Sequence, residues 1–399
     1  MCFCKNGTVI PLLDAGVHPV SNRYLRNSDE EETLYPFGLS QCRTCGLVQL
    51  TTPFPISELI PRYDWITYRE PEDHLDSLVD SLCDLKGISK GSVIGGLSFK
   101  DDSTLRRFAN RDFFTWRIDT GNDLHIQAKG AGIESIQAGI TREKAETIAK
   151  KKGKADILIV RHILEHVYNK DEFITSLKVM INREGYIVFE VPDCSKSLNQ
   201  CDYTMMWEEH LYYFTPETFR HALETNGFQV VRLDNIPYSS ENSLVAITKL
   251  TKILGADTPA GRLGEGLMQG ERFAKNFETY KEKFRVFFTG YKKEHGKIAL
   301  FGAGHLACTF IWLFQLQDCI DCVLDDEPHK QGLIMPGSKI PIRSSSTLMN
   351  KEYSLCLLSI NPKNEENVIE KNRVFTGNGG EFLSIFPLSK RSLYQLVVV

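Results

Sequence analysis

Between residues 92 and 250 short apolar runs alternate with stretches of helical spacing, and this alternation constrains the fold more than any other feature of the chain. The runs at 92–97, 113–119, 155–160 and 185–191 read as buried strands. The segments at 143–151, 170–180 and 216–225 read as the helices that cross between them, the last with Pro216 at its first turn after Thr215. Strands joined through helices pair in parallel and are covered on both faces. The runs at 230–233 and 243–247 have no helix between them and predict an antiparallel pair at one edge.

On either side of this unit the texture changes. Before residue 70 turn formers dominate and a small irregular domain is expected. A helix follows near His74, where Leu75, Leu78, Val79, Leu82 and Leu85 line one face. The charged stretch at 263–295 carries Phe273, Phe277, Phe284, Phe287 and Phe288 and predicts a long linking helix. A second α/β unit begins at Lys297. The expected domains are therefore 1–70, 71–255 and 256–399, in keeping with 399 residues at about 100–200 per domain.

The charge balance, 47 Lys and Arg against 51 Asp and Glu, leaves no basic excess to draw nucleic acid or an anionic membrane, so neither is expected as a partner. No apolar run approaches the ~20 residues of a membrane span and the amino terminus has no apolar signal core, so a cytoplasmic protein is expected. The 11 cysteines are odd in number and mostly scattered, which argues against a disulfide framework.

Four constellations carry chemistry. Cys2 and Cys4 with Cys42 and Cys45 offer four thiolates, the donor set that Zn²⁺ favours, and Gly46 suits the tight turn of a zinc knuckle; the alternative is four reduced thiols. In the middle unit ligands belong at the carboxyl ends of the strands. There stand Gly95 and Gly96, then Asp119, which can accept both hydroxyls of a ribose, then Arg161, His162, Glu165 and His166; ordinary polar turns are the alternative. The string Trp207-Glu208-Glu209-His210 with Tyr212, Tyr213 and Phe214 places an imidazole beside carboxylates and aromatic walls, so that His210 can take a proton and Glu209 can raise its basicity; a solvated turn is the alternative. Last, Gly302-Ala303-Gly304-His305 with Asp325 fits the dinucleotide fingerprint, for a nicotinamide cofactor or for another phosphate-bearing ligand at the helix amino terminus.

In this order the four features resemble the three-domain sugar C-methyltransferases, which join a zinc-binding amino-terminal domain, a class I S-adenosylmethionine-dependent core and a carboxy-terminal Rossmann-like domain. The resemblance covers nearly the whole chain. It rests on Leu13-Asp14 through Asn22, Pro36 through Leu50, Arg161-His162 with Glu165-His166, Glu209-His210-Leu211 with Tyr213-Phe214, and Gly302-Ala303-Gly304 with Asp325, Pro328 and Lys330. The implied fold is α/β with two Rossmann-like sheets. The implied metal ligands are Cys2, Cys4, Cys42 and Cys45, with His18 as a possible replacement for the irregular Cys2. The implied methyl donor is S-adenosylmethionine, held by Gly95, Gly96, Asp119, Arg161 and His162. The implied acceptor is a nucleotide-linked keto-deoxysugar held by Tyr213, Gly302, Gly304, His305, Asp325 and Lys330. His210, supported by Glu209, then removes the proton beside the ketone, and Tyr68 donates to the enolate oxygen. Three departures stand out: Cys-x-Cys replaces the first Cys-x-x-Cys, the loop at 95–102 lacks the family's glycine pattern, and Trp207-Glu208 replaces a Tyr-His pair. The same scaffold without its donor would be an isomerase, epimerase or dehydratase, and without catalysis a nucleotide-sugar-binding protein.

Overall fold

A computed structural model describes residues 2–4, 7–63, 65–66, 70–127, 131–251 and 260–397, of which 260–263 by backbone alone. Two compact units result, one of Met1–Ile10, Ser40–Ser195 and Glu209–Met268, the other of Pro11–Leu39, Lys196–Glu208 and Gln269–Val399. The amino-terminal segment is less irregular than its turn formers imply. It forms β1 (Val9–His18), β2 (Tyr35–Cys42) and β3 (Val48–Leu50), in a sheet of order β1-β2-β3-β8.

The first unit holds β4 (Val93–Gly96), β5 (Phe114–Arg117), β6 (Ala155–Arg161), β7 (Ile181–Asp193), β8 (Tyr212–Tyr213), β9 (Phe228–Ile236) and β10 (Asn242–Leu250). Its main sheet runs β5-β4-β6-β7-β10-β9. The β5-β4-β6-β7 part is parallel, and β10 is antiparallel to both β7 and β9. The expected edge pair exists, with the last strand on the inside. Leu244, Val245, Ala246 and Ile247 are apolar on both faces and buried, whereas β9 alternates with Gln229, Arg232 and Asp234, which suits an edge. At the other edge β5 is not the buried strand its sequence implies: Phe114 is 70% exposed.

Strand periodicity divides the core between the two faces. Leu158, Val160, Ile187 and Phe189 pack with the helix Lys170–Met180, and Ile157, Ile159, Tyr186 and Val188 with the helix Leu75–Cys83. The chain leaves β4 for β5 on one side and returns past it to β6 on the other, so the connections reverse beside β4, where a doubly wound sheet opens a crevice at its carboxyl ends.

The second unit carries β11 (Lys297–Phe301), β12 (Cys322–Leu324), β13 (Ile342–Arg343), β14 (Tyr353–Leu358) and β15 (Glu381–Ser384), all parallel, in the order β13-β12-β11-β14-β15. The linking helix is Ala260–His295, and within this unit it buries Phe273, Phe277, Phe284 and Phe288. Among the described residues no helix is long and apolar enough to cross a membrane.

Gly95 lies within β4, not in a loop. A Cβ there would stand 2.6 Å from Cζ2 of Trp116 and 3.0 Å from Cδ1 of Leu158, both side chains packed against neighbouring strands. Gly95→Ala is expected to destabilise the chain by about 1–3 kcal/mol, the usual cost of overpacking. Urea unfolding measures it, and an unchanged midpoint would show that Trp116 moves aside freely.

Candidate active site and metal centre

The four amino-terminal cysteines converge. All four are buried and their sulfurs lie within 4.8 Å of one another. Sγ of Cys2 is 3.5 Å from that of Cys45, and Sγ of Cys4 is 3.7 Å from that of Cys42. Thiolates at ~2.3 Å from a tetrahedral zinc ion stand about 3.8 Å apart, so the donor set fits zinc in type, number and spacing. The local backbone is built for it. Gly46 takes φ +76° and returns its N–H to the Cys42 carbonyl, and a Cβ on Gly7 would come within 2.1 Å of the Cys42 sulfur. The short Cys-x-Cys pair therefore supplies two ligands without help from His18. That residue instead sits 2.6 Å from the Pro19 carbonyl oxygen, with burial pushing its pKa down to about 4.

At the carboxyl ends of β4 and β6 a buried ionic network forms around Glu190 of β7. Its carboxylate accepts from Arg161 Nε at 2.5 Å and from Ser243 Oγ at 2.7 Å, and faces His74 at 3.2 Å and His162 at 3.4 Å. Arg161, expected to touch a donor, is thereby held by its Nε on Glu190. Its backbone N–H donates to Asp101 and its Nη1 to the Lys100 carbonyl. Asp101 also accepts from the N–H groups of Leu97 and Ser98, so the loop after Gly96 is closed by its own carboxylate. Burial raises the Asp101 pKa to about 6, against the pull of those N–H groups and Arg161. Gly96 is needed for packing too, since a Cβ would meet Leu105 at 2.8 Å. Asp119 is different. It is exposed just past β5, with one oxygen capping Asn122 N–H.

Glu209 and His210 lie in a third cluster of the same unit. Donor atoms of Glu165, His166 and His210 are within 4.8 Å of one another, as are those of Glu134, His166 and Glu209. His166 Nδ1 is 3.0 Å from Glu134, and the rings of His166 and His210 meet edge to face at 4.8 Å. The Tyr213 ring stands 6.5 Å from that of His210. The bond from Leu211 N–H to the Glu165 carbonyl, 2.7 Å, pins the His210 segment to the turn that leaves β6. Tyr68 lies outside the described residues.

In the second unit Gly302, at φ +106°, packs against Ser359, and Gly304 caps the helix His305–Leu313. Asp325, placed as a substrate ligand, turns inward: it accepts from Ala303 N–H and from Lys330 Nζ, both at 2.9 Å, while Lys330 also donates to the Ala303 carbonyl. The His305 ring stacks on Trp207 at 4.3 Å, and Glu208 accepts from the N–H and hydroxyl of Ser21.

Three family models match in sequence along the chain: "Putative zinc binding domain" over residues 2–59, "Methyltransferase domain" over 109–233 and "C-methyltransferase C-terminal domain" over 264–387. The chain belongs to the three-domain C-methyltransferases. Consistent with this, it is 24% identical to C-methyltransferase NovU of Streptomyces niveus over 96% of this chain and 94% of that one. Among solved structures it is similar to 1,6-didemethyltoxoflavin-N1-methyltransferase of Burkholderia thailandensis, with 9% identity, 54% of this chain and 96% of that one covered, and TM-score 0.34. It is also similar to magnesium protoporphyrin IX methyltransferase of Synechocystis PCC 6803, with 16% identity, 45% and 82% covered, and TM-score 0.31.

Sequence reasoning missed Glu190 and Glu134 in this C-methyltransferase, and the meeting of Glu165 and His166 with His210. Glu190 had a signal, a lone charge inside the apolar run 185–191. Glu134 had none.

Two outcomes are expected. Cys42→Ser should reduce zinc content measured by mass spectrometry and lower the unfolding temperature, and equal metal content would remove Cys42 from the site. Second, burial disfavours the charge on His162, but Glu70, Glu165 and Glu190 outweigh it and hold its pKa at about 10. The folded state keeps a proton that the unfolded chain loses near pH ~6.5, so this stabilisation is complete below ~6.5 and disappears as pH rises through 10. Unfolding free energy should fall across that window, and His162→Gln should flatten the fall; an equally steep profile in the variant would refute the assignment.

Proposed function

We propose that this C-methyltransferase transfers the methyl group of S-adenosylmethionine to the carbon beside the ketone of a nucleotide-linked keto-deoxysugar, with His210 as general base. The observation that carries the reading is the location of His210. It is bonded through Leu211 to the turn that leaves β6, next to the point where the sheet's connections reverse, and it shares a buried cluster with Glu165 and His166. A donor bound at the strand ends and a base on the adjoining turn meet at one carbon, which is the near-attack arrangement the reaction needs.

The chemistry requires little else. The C–H bond beside the ketone breaks, its proton goes to His210, and the electron pair is held as an enolate. Bound S-adenosylmethionine supplies an electrophilic methyl, and as the new carbon–carbon bond forms the old bond's electrons return to sulfur. Glu165, in one donor cluster with His210, favours the imidazolium that results, and His166, 3.0 Å from Glu134, stands beside it. Asp119 is the ribose acceptor of this reading.

A second reading has one observation in its favour. The N–H groups of Leu97 and Ser98 are taken by Asp101, so the loop offers them to no donor. On that reading the chain abstracts the same proton without methyl transfer and is an isomerase, epimerase or dehydratase. Two measurements separate the readings. His210→Ala should lower turnover by about 10²–10⁴ and leave calorimetric binding of S-adenosylhomocysteine unchanged. Wild-type protein in D₂O should incorporate no deuterium into a keto-sugar nucleotide without the donor and should methylate it when the donor is present. Full activity of the variant would dismiss His210, and absent S-adenosylhomocysteine binding with steady deuterium incorporation would establish the second reading.

A further inference from the structure

We infer that Glu165, His166 and His210 form a second metal site, of two imidazoles and one carboxylate, that takes a divalent transition-metal ion, and that an ion held there shuts off the base. The three donors lie within 4.8 Å of one another. Donors bound at ~2.0–2.2 Å sit about 3.0–3.6 Å apart, so rotation of the side chains closes the remainder. The set contains no thiol, which separates it from the four-cysteine site and suits zinc, cobalt or nickel in a nitrogen and oxygen environment.

Glu165 is the group that calls for a cation. It is 1% exposed, its Oε1 reaches Nδ1 of His162 only at 3.6 Å, and among the described residues neither of its oxygens has a hydrogen bond. A carboxylate so deeply buried is costly unless a positive charge or a donor meets it. The His162 imidazolium at 3.6 Å meets this charge in part only, because it is shared with Glu190. Two further carboxylates, Glu134 and Glu209, adjoin His166 and add to the negative field at the same place. Glu134 plays a distinct part. Its Oε1 lies 3.0 Å from His166 Nδ1, at the distance from which a carboxylate can orient a metal-binding histidine. The rings of His166 and His210 stand at 88°, so their planes cross and do not stack.

An ion on His210 occupies the lone pair that would take the substrate proton. Metal and proton transfer are thus exclusive, and a proton already on His210 must leave when the ion binds. Metal binding itself stands on the donor geometry alone, whereas the inhibition rests on the reading of His210 as the base.

The test uses the full chain with zinc on its four cysteines, titrated with Co²⁺. Weak visible bands of nitrogen- and oxygen-bound cobalt, without thiolate charge transfer, are expected to saturate at one equivalent. Glu165→Gln should abolish them and Glu134→Gln should weaken binding by about 10–100-fold, with zinc content at the cysteines and circular dichroism retained in both variants. Methyl transfer should fall as the bands grow and recover when a mild chelator removes cobalt but not the cysteine-bound zinc. Absence of the bands in wild type, or equal binding by Glu165→Gln, overturns the site and leaves His210→Ala to decide the base. Saturated bands with undiminished methyl transfer overturn the inhibition and speak against His210 as the base.

Discussion

The Arg161–Glu190 ion pair is the constraint on which the first unit's functional geometry depends. Both side chains are 1% exposed, so the pair lies where charges are tolerated only together. Removing either partner would leave the other buried and uncompensated, at a cost of about 3–5 kcal/mol. The pair also distributes order. Arg161 fixes Asp101 and the Lys100 carbonyl, and so the loop after β4. Glu190 gathers His74 at the start of one helix, His162 at the exit of β6 and Ser243 of β10. One carboxylate thus ties three strands and a helix at the end of the sheet where ligands bind.

From this anchor the next residues follow. His162 takes φ +47°, an uncommon conformation for a residue with a Cβ, and its N–H bonds the Glu190 carbonyl. The turn that begins there delivers Glu165 and His166 three and four positions on, and Glu165 in turn holds the His210 segment through Leu211. Strain at His162 is sustained because its ring is held by carboxylates on two sides.

The sheet was legible because its strands are short apolar runs between helices of regular spacing, and the zinc-site cysteines because few residue types bind that ion. What escaped was determined by neighbours far along the chain. No local pattern distinguishes β10 from β9 in sheet position until the burial of Leu244–Ile247 is weighed against the polar face of β9. Gly95 and Gly96 carried the look of a ligand loop, yet Trp116 and Leu105 demand the missing Cβ for packing. Asp325 has the spacing of a ribose acceptor, and its carboxylate is spent on Ala303 and Lys330 instead. A spacing says where a residue will be, not which of its neighbours will claim it.

The string Glu208-Glu209-His210 shows the same lesson at its sharpest. Two adjacent carboxylates in the turn at 208–209 meet different partners, so their similarity in sequence carries no similarity of role. Glu208 is wholly buried against Ser21, taking both its N–H and its hydroxyl, and so fixes the loop that follows β1. Glu209 joins His166 and Glu134. A change at position 208 therefore acts on the architecture of the second unit and a change at 209 on the imidazole cluster of the first. The Tyr-His to Trp207-Glu208 departure from the family pattern falls entirely on the former, where Trp207 stacks on His305 at 4.3 Å, and leaves the Glu209-His210 pair intact. By that division the departure falls on the second unit, and the imidazole cluster of the first is untouched by it.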